Sequence, residues 1–299
     1  MNLTTATVLA LGTTGAQGSG LLDALAGRGA RAVRVTSDPA RADAWRADGQ
    51  DAATADLADP ASLVAAASST GAQAAVLHVP IGLGSPDGVA AVVASVAALR
   101  EAGLSVAVNA GGPVPAEGTP DLTGRRSLVA ALAATGAAVV APTAYLENHL
   151  APWATGHIVA GELLYPRPAD DVIAWIAARD VTAAAVAALA DDRGGSVVLL
   201  AGPQRLTFTA LADEVSAGLG RPVAFREVGA REFGDMLRPY LGTDAADGVA
   251  GFYSAMPRTP EPSLAPEVGD VWASLGLVPT TARQWAATVL APVLAAPAR

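Results

Sequence analysis

A glycine-rich segment near the N-terminus is the clearest candidate for chemistry in this sequence. Its residues are Gly12, Thr13, Thr14, Gly15, Ala16, Gln17 and Gly18. It follows a short apolar run and precedes a helical pattern. Glycines let the backbone turn tightly and approach a ligand, and the first N–H groups of a helix attract an anion. The segment therefore predicts a turn that binds the pyrophosphate of a dinucleotide, although its Gly-x-x-Gly-x-x-Gly spacing differs from the usual Gly-x-Gly-x-x-Gly.

Candidate ligands for the adenosine ribose follow the second predicted strand. Thr36 and Ser37 end that strand, and Arg41 lies on the next helical turn. Hydroxyl groups beside a guanidinium suit a phosphate dianion, which favours NADP as the cofactor. Asp38 leaves NAD open, because a carboxylate here can bind a ribose 2′-hydroxyl. Alternatively, Asp38 has no contact with the cofactor and only caps the helix that begins at Pro39.

Three more strands end in candidate ligands. Asp56 and Leu57 follow the third strand, where a carboxylate can accept a hydrogen bond from adenine or only face solvent. The candidates after the fourth and fifth strands are His78, Val79, Pro80 and Asn109. Ligands bind at the carboxyl ends of strands in open α/β sheets, so we expect these residues beside the cofactor. His78 has a second interpretation as a histidine without a functional role, because no acid nearby would tune it.

The segment after the sixth predicted strand holds the candidate catalytic residues. Pro142 begins it, and Tyr145, Asn148 and His149 follow. Tyr145 and His149 are four residues apart, so they share a face if the segment is helical. A Tyr–His pair can relay a proton to a carbonyl. Alternatively, Tyr145 is an aromatic wall over the nicotinamide and His149 a surface or packing residue.

Strands and helices alternate strictly in the first half of the chain. Apolar runs predict strands at 7–11, 32–36, 52–55, 74–79, 105–110 and 137–141, with helices at 15–26, 39–48, 60–68, 87–102 and 122–135. Strict alternation predicts parallel βαβ units, and near-continuously apolar strands predict a sheet covered on both faces. The fold class is therefore α/β, with a doubly wound parallel sheet.

The pattern changes after about residue 150. Helices are predicted at 180–190, 207–219, 230–256 and 281–295, with a strand at 197–201 and a Pro-rich surface loop at 257–266. We interpret residues 1–150 as a dinucleotide-binding domain. Residues 151–299 would form a smaller C-terminal α/β cap, with some segments returning to the sheet.

Composition excludes several classes of function. All 19 basic residues of this 299-residue chain are arginine, and cysteine is absent. Without lysine, no Walker loop, Schiff base or Tyr-x-x-x-Lys pair can form. Three histidines leave too few ligands to predict a metal site. A pI near 4.8 argues against nucleic acid as a partner. No apolar run approaches the roughly 20 residues that span a membrane, and no secretory signal is present, so we expect a cytoplasmic protein.

Six segments together resemble the NmrA-like proteins, which are atypical relatives of the short-chain dehydrogenases. They are GTTGAQG at 12–18, ADLADPASL at 55–63, PTAYLENHL at 142–150, ARDVTAAAVAAL at 178–189, LLAGPQRLTFTALADEVSAGLGRPV at 199–223 and PTTARQW at 279–285. The resemblance implies a Rossmann domain with a small cap and a cleft between them for NADP and a small substrate. That family includes quinone and phenylpropanoid reductases as well as redox-sensing regulators.

The resemblance also implies roles for individual residues. Residues 12–18 would hold the pyrophosphate, 56–57 the adenine, and 78–80, 109 and 142–145 the nicotinamide. Two departures matter. Ser37 stands where many relatives have an arginine, and the helix after the fifth strand offers Arg125 and Arg126 where reductases often have a lysine. Arginine stays protonated and is a poor proton donor, which excludes a lysine-dependent mechanism.

We therefore predict an oxidoreductase that uses NAD(P)H to reduce a quinone-like or conjugated carbonyl compound. Tyr145, Asn148 and His149 would orient the carbonyl, and the proton would come from a side chain or from water. The alternative is a catalytically silent redox sensor that binds NADP(H) and acts through a protein partner. A non-redox tailoring enzyme ranks third. The sequence leaves open whether the chain forms a homo-oligomer.

Overall fold

The computed structural model describes residues 1–80, 86–115, 117–118, 121, 124–256 and 265–296. Most of the predicted Pro-rich loop at 257–266 and the predicted start of the helix at 122–135 lie outside these residues.

The strands are β1 Thr7–Leu11, β2 Arg31–Thr36, β3 Ala52–Thr54, β4 Ala74–His78, β5 Ser105–Asn109, β6 Ala138–Pro142, β7 Glu162–Tyr165, β8 Val172–Ile173, β9 Val197–Leu200, β10 Leu206–Thr207 and β11 Ala224–Glu227.

The α-helices follow the same order along the chain. They are α1 Leu21–Ala26, α2 Pro39–Ala47, α3 Pro60–Thr70, α4 Pro86–Glu101, α5 Arg125–Ala134, α6 Pro152–Val159, α7 Ala178–Ala190, α8 Phe208–Leu219, α9 Ala230–Leu241, α10 Thr243–Ala255, α11 Val271–Ser274, α12 Ala282–Trp285 and α13 Ala291–Ala295. A π-helical turn, Ala286–Leu290, joins the last two.

The chain forms two compact units that are interleaved along the sequence. The first unit comprises Met1–Pro142, Ala178–Leu200 and Val268–Val278. The second comprises Thr143–Ala177, Ala201–Glu267 and Pro279–Arg299. The division into domains at residue 150 stays a prediction.

The first unit is built on a seven-stranded sheet in the order β3-β2-β1-β4-β5-β6-β9. Every neighbouring pair in it is parallel. Side chains alternate between the faces of a strand, and one face buries Leu9, Leu77, Val108 and Val139 in a core that includes residues of α3, α4 and α5. Helix α7 packs against β4, β5 and β6 and against α1. The predicted α/β fold with its parallel sheet is confirmed.

The predicted helix starts in the first unit show why local sequence was informative. Asp59 caps α3, because its carboxylate accepts hydrogen bonds from the backbone N–H groups of Ala61 and Ser62. Asp38 caps α2 in the same way, with Pro39 at the first helical position. Short polar side chains before a proline satisfy N–H groups that a helix leaves free.

The second unit combines short strand pairs with helices. β11 pairs with β7 in parallel, and β10 pairs with β8 antiparallel. Its largest core includes Tyr165, Trp175, Phe208 and Trp285, all nearly fully buried. The helical region predicted at 230–256 is two helices, because Gly242 adopts φ +78° and ψ 170° between α9 and α10. Within the described part of the chain, no helix is long and apolar enough to span a membrane.

Candidate functional site

The glycine turn directly follows β1, at the carboxyl end of the sheet. Gly12 has φ +79°, a conformation that L side chains rarely adopt. A Cβ on Gly18 would lie 2.1 Å from the carbonyl oxygen of Gly12, so no larger residue fits there without movement. The fold itself therefore requires glycine at these two positions.

Gly15 differs from the other two glycines of the turn. Its φ is −85° and its ψ 156°, which any residue adopts. A Cβ there would meet only the Gly12 carbonyl oxygen at 3.8 Å, an ordinary contact. The residue is also exposed. Nothing in the described structure explains a glycine at this position, whereas a ligand lying against the turn would.

The helix predicted at 15–26 is interrupted. A 3-10 turn covers Ala16–Gly18, and α1 begins only at Leu21. The cause is Gly20, which has φ +80° and whose missing Cβ would lie 2.9 Å from the Cβ of Arg179 on α7. Close packing on α7 thus breaks the helix. The N–H groups available to an anion belong to the 3-10 turn, since its first N–H groups have no partner within it.

Two buried polar atoms beside the turn have no hydrogen-bond partner among the described residues. They are Oε1 of Gln17 and Nδ1 of His78. The turn and β4 meet here, because a Cβ on Gly12 would lie 3.3 Å from the Cβ of His78. Buried polar groups are normally satisfied, so such orphans indicate a missing ligand or water. A dinucleotide with phosphate and amide groups fits this edge.

The residues after β2 are only partly free to bind a phosphate. The Asp38 carboxylate caps α2, and it also lies 3.9 Å from Nε of Arg41. The Thr36 hydroxyl oxygen accepts a hydrogen bond from the N–H of Asp38. Ser37 is exposed. Asp38 acts as the helix cap that the sequence allowed, and Arg41 already has a neutralising partner.

Asp56 organises the loop after β3. One of its carboxylate oxygens accepts a hydrogen bond from the N–H of Ala58 at 2.8 Å. Its own N–H donates to the Ser62 hydroxyl. Leu57 is partly buried against the core of the first unit. The Asp56 side chain is exposed, so it retains acceptor capacity for an adenine amino group.

His78 and Asn109 lie side by side at the ends of β4 and β5. They are paired in the register of these strands and share a hydrogen bond. Burial lowers the pKa of His78 to about 4, and the positive charge of Arg125 adds to this effect. His78 is therefore a neutral imidazole at pH 7. Val79 is buried, whereas Pro80 is exposed.

Arg125 is the residue of this edge that sequence reasoning set aside. It begins α5, and its guanidinium donates to the carbonyl oxygen of Ala110. It packs on the glycine pair after β5: a Cβ on Gly111 would lie 3.5 Å from its NH1 atom, and one on Gly112 3.7 Å from NH2. The glycine pair leaves room for the guanidinium, but no spacing in the sequence predicts that Arg125 occupies it.

Tyr145, Asn148 and His149 lie in the second unit. The segment is a 3-10 helix, Leu146–Leu150, preceded by Tyr145 in an extended conformation. A 3-10 helix has three residues per turn, so positions four apart do not share a face. Tyr145 and His149 are 2% and 1% exposed, whereas Asn148 is partly exposed. The structure thus favours the packing alternative for His149.

His149 is part of an aromatic core. Its ring centre lies 4.9 Å from that of Trp175 and 5.9 Å from that of Tyr165. Burial lowers its pKa to about 4, and its Nε2 has no hydrogen-bond partner among the described residues. The imidazole is neutral at pH 7 and acts as a packing group in this arrangement.

Asn148 reaches a pair of tyrosines. It hydrogen-bonds the hydroxyl of Tyr165, which lies 2.7 Å from the hydroxyl of Tyr253. Burial raises the pKa of both tyrosines, so they are neutral phenols at pH 7. Sequence reasoning missed this network, because Asn148, Tyr165 and Tyr253 are far apart in the chain.

The structure therefore brings the cofactor candidates together within the first unit. The turn, the strand-end residues after β2, β3, β4 and β5, and Pro142 at the end of β6 all lie at the carboxyl edge of one parallel sheet. The candidate catalytic residues Tyr145, Asn148 and His149 belong to the other unit.

Solved structures with a similar fold include reductases, a nucleoside-diphosphate-sugar epimerase of Staphylococcus aureus and a transcriptional regulator. The NADPH-dependent quinone oxidoreductase of Escherichia coli aligns over 95% of this chain and 99% of its own, with a TM-score of 0.70 and 23% identity. The triphenylmethane reductase of Citrobacter sp., complexed with NADP(H), aligns over 96% and 99%, with a TM-score of 0.73 and 17% identity. The negative transcriptional regulator NmrA, in complex with NADP, aligns over 96% and 95%, with a TM-score of 0.65 and 16% identity.

No protein-family model and no curated protein matches the chain. The structural similarities nevertheless define its class by fold. The chain has the Rossmann-like α/β fold of NmrA and of these reductases, and the predicted resemblance to the NmrA-like proteins is confirmed at the level of the fold.

Proposed function

We propose that this chain is a member of the NmrA-like group and an oxidoreductase that uses NAD(P)H, with NADP the preferred form. It would reduce a quinone-like or conjugated carbonyl compound. The observation that carries the proposal is the open space at Gly15, where the fold does not require a glycine but a bound pyrophosphate does. The buried Oε1 of Gln17, an acceptor without a partner among the described residues, would take a hydrogen bond from an N–H or O–H group of the cofactor or from water.

Each part of the cofactor would have its own residues. The turn at 12–18 would hold the pyrophosphate, the residues after β2 the adenosine ribose, and Asp56 and Leu57 the adenine. His78, Asn109 and Pro142 would lie beside the nicotinamide. When bound, the cofactor supplies a hydride, and the protein supplies position and electrostatics.

The residues at the carboxyl edge support a reaction that develops negative charge on oxygen. Arg125 is a fixed cation, and a preorganised cation stabilises an oxyanion as it forms. Neutral His78 adds no competing positive charge. Reduction of a quinone or an enone yields such an oxyanion, which can take its proton from water. This route needs no lysine.

In the second unit, we propose that Asn148 orients the substrate carbonyl. It is the member of the predicted catalytic group with exposed surface, and its side chain is held by Tyr165. Tyr145 and His149 would support it by packing. If either donated a proton directly, its removal would lower turnover by about 10²- to 10⁴-fold.

The test is NADPH oxidation by the purified chain with a panel of quinones and enones. We expect saturable turnover with at least one class. We also expect that Tyr145→Phe and His149→Gln keep turnover within a few-fold of the wild type, because water is the donor. Absence of turnover with every acceptor, by a chain that binds NADPH, would overturn the reductase assignment.

A sensor that binds the cofactor without turnover is the second candidate. Burial of Tyr145 and His149 favours it, because it removes two side-chain proton donors from contact with solvent. Three results together would support it. The affinities for NADPH and NADP⁺ would differ at least tenfold, protection from limited proteolysis would depend on the redox state of the cofactor, and no acceptor would be turned over. Equal affinities and identical cleavage patterns would contradict it.

A further inference from the structure

Arg34 lies within β2, the strand that ends in the candidate ribose ligands Thr36 and Ser37. We propose that it is the residue that selects a nucleotide with a phosphate on the adenosine ribose. This inference rests on the proposed function and deepens it, because it assigns the choice between NADPH and NADH to one side chain. The same inference makes Trp45 the residue that positions the Arg34 guanidinium.

The Arg34 side chain extends from the strand to the glycine turn. Arg34 lies two residues before the end of β2, opposite Ala10 of β1. Its Nε donates a long hydrogen bond of 3.4 Å to the hydroxyl of Thr13, the second residue of the turn. The guanidinium therefore reaches the carboxyl edge of the sheet, next to the segment proposed to hold the pyrophosphate.

The guanidinium is held in place from two sides. Its central carbon lies 3.7 Å from the centre of the Trp45 ring on α2. Its NH1 donates to Oε1 of Gln50. A cation stacked on an aromatic face and fixed by an amide loses little conformational entropy when it binds an anion. Trp45 itself is buried, so this platform is rigid.

Arg34 differs from the other arginines of β2 and α2 in the partners of its guanidinium. Arg31 pairs with Asp51, Arg41 with Asp38, and Arg46 with Asp43. Arg34 has no carboxylate partner among the described residues; its partners are a hydroxyl, an amide and an aromatic ring. A half-buried cation without a counter-charge favours a dianion.

The other groups at this place fit a phosphate and not a bare ribose. The hydroxyl groups of Thr13 and Thr36 lie at the ends of β1 and β2, which are neighbours in the sheet. The carboxylate of Asp38, which follows β2, is engaged in capping α2. Selection for NADH normally uses a free acid to bind the ribose hydroxyls. The chain instead presents a cation and hydroxyl groups.

The experiment is calorimetric titration of the full chain with NADPH and NADH, and with adenosine 2′,5′-bisphosphate and 5′-AMP as probes of the subsite alone. We expect the wild type to prefer the 2′-phosphorylated member of each pair. Arg34→Gln should lower affinity for that member about 10- to 100-fold, the range for losing hydrogen bonds to a charged group. Its affinity for NADH should not change, which also shows that the variant is folded.

Variants of Trp45, Arg31 and Arg41 separate the effects of position and of charge at other sites. Trp45→Leu should weaken NADPH binding but not NADH binding, and Trp45→Phe, which keeps an aromatic face, should restore it. Arg31→Gln, a matched change on the same strand, should leave both affinities unchanged. Overturning results are an unchanged preference in Arg34→Gln, an equal loss for both cofactors, or a preference removed by Arg41→Gln instead.

The same titrations separate the two proposals. If the wild type binds NADPH and NADH equally, the role of Arg34 and the preference for NADP are wrong, whereas the dinucleotide site stands. If the wild type binds neither dinucleotide, the proposed function fails first, and the role of Arg34 fails with it.

Discussion

The indole N–H of Trp285 donates a hydrogen bond of 2.9 Å to the carboxylate of Glu147, 138 residues earlier in the chain. Both side chains are buried, at 0% and 5% exposure. The bond ties the segment after β6 to α12 inside the second unit. It also joins PTAYLENHL and PTTARQW, two of the segments that carry the family resemblance.

We predict that Glu147→Ala destabilises the protein by about 1–3 kcal/mol, because it leaves the buried indole N–H without this acceptor. Glu147→Gln, which keeps an acceptor oxygen, should cost less. Urea unfolding measures both. An alanine variant as stable as the wild type would show that the hydrogen bond contributes nothing.

The Trp285–Glu147 contact illustrates what the sequence could and could not reveal about the fold. Hydrophobic periodicity and caps are local signals, so β1 was predicted with its observed bounds and the starts of α2 and α3 were predicted from Asp38 and Asp59. Contacts across 138 residues leave no periodic signal. The break of the first helix at Gly20 is of the same kind, because Arg179 on α7 causes it.

The glycines of the turn should separate folding from binding. Gly18→Ala places a Cβ 2.1 Å from the carbonyl oxygen of Gly12, and we expect it to destabilise the chain by about 1–3 kcal/mol. Gly15→Ala, the matched control, should unfold at nearly the wild-type urea concentration. Equal stability of the two variants would show that the turn is not packed as described.

A buried ion pair in the second unit makes a stability prediction. Nε of Arg167 lies 2.5 Å from the carboxylate of Asp171, with side chains 2% and 1% exposed. Asp171→Asn should cost about 3–5 kcal/mol, because it removes the carboxylate of a buried ion pair. The double change Arg167→Met with Asp171→Leu should recover part of that loss. A double variant less stable than Asp171→Asn would contradict this account.

His149, which is buried, and His78, which is partly buried, predict how stability depends on pH. Burial lowers the pKa of His78 and of His149 to about 4, below the value of 6.5 for an unfolded histidine. Between pH 6.5 and 4 the unfolded chain binds more protons, so stability is lost as the pH falls. Across that window, each histidine lowers the free energy of unfolding by up to roughly 3 kcal/mol as the pH falls. We expect His149→Gln to reduce the slope of unfolding free energy between pH 7 and 5.5; an unchanged slope would be inconsistent with a buried neutral imidazole.

The cofactor candidates could be predicted because parallel strands place their ends at one edge. His78 and Asn109 were each predicted from a strand end, and the register of β4 and β5 puts them side by side. The contacts of Arg34 with Trp45 and of Arg125 with Ala110 depend on side-chain direction and on helix packing. Neither has a signal in residue spacing. The burial of Tyr145 and His149 could not be predicted from the sequence either, since a 3-10 segment does not follow the periodicity of an α-helix.

Binding of NADPH by Gly15→Val is the decisive measurement for the proposed cofactor site. Valine is compatible with the backbone conformation of Gly15, and the space around its Cβ is open, so the variant should fold normally. It would fill the place proposed for the pyrophosphate. We predict that the wild type binds one NADPH per chain in a calorimetric titration and that Gly15→Val, with an unchanged melting temperature, binds none. A folded Gly15→Val that binds NADPH as tightly as the wild type would contradict it.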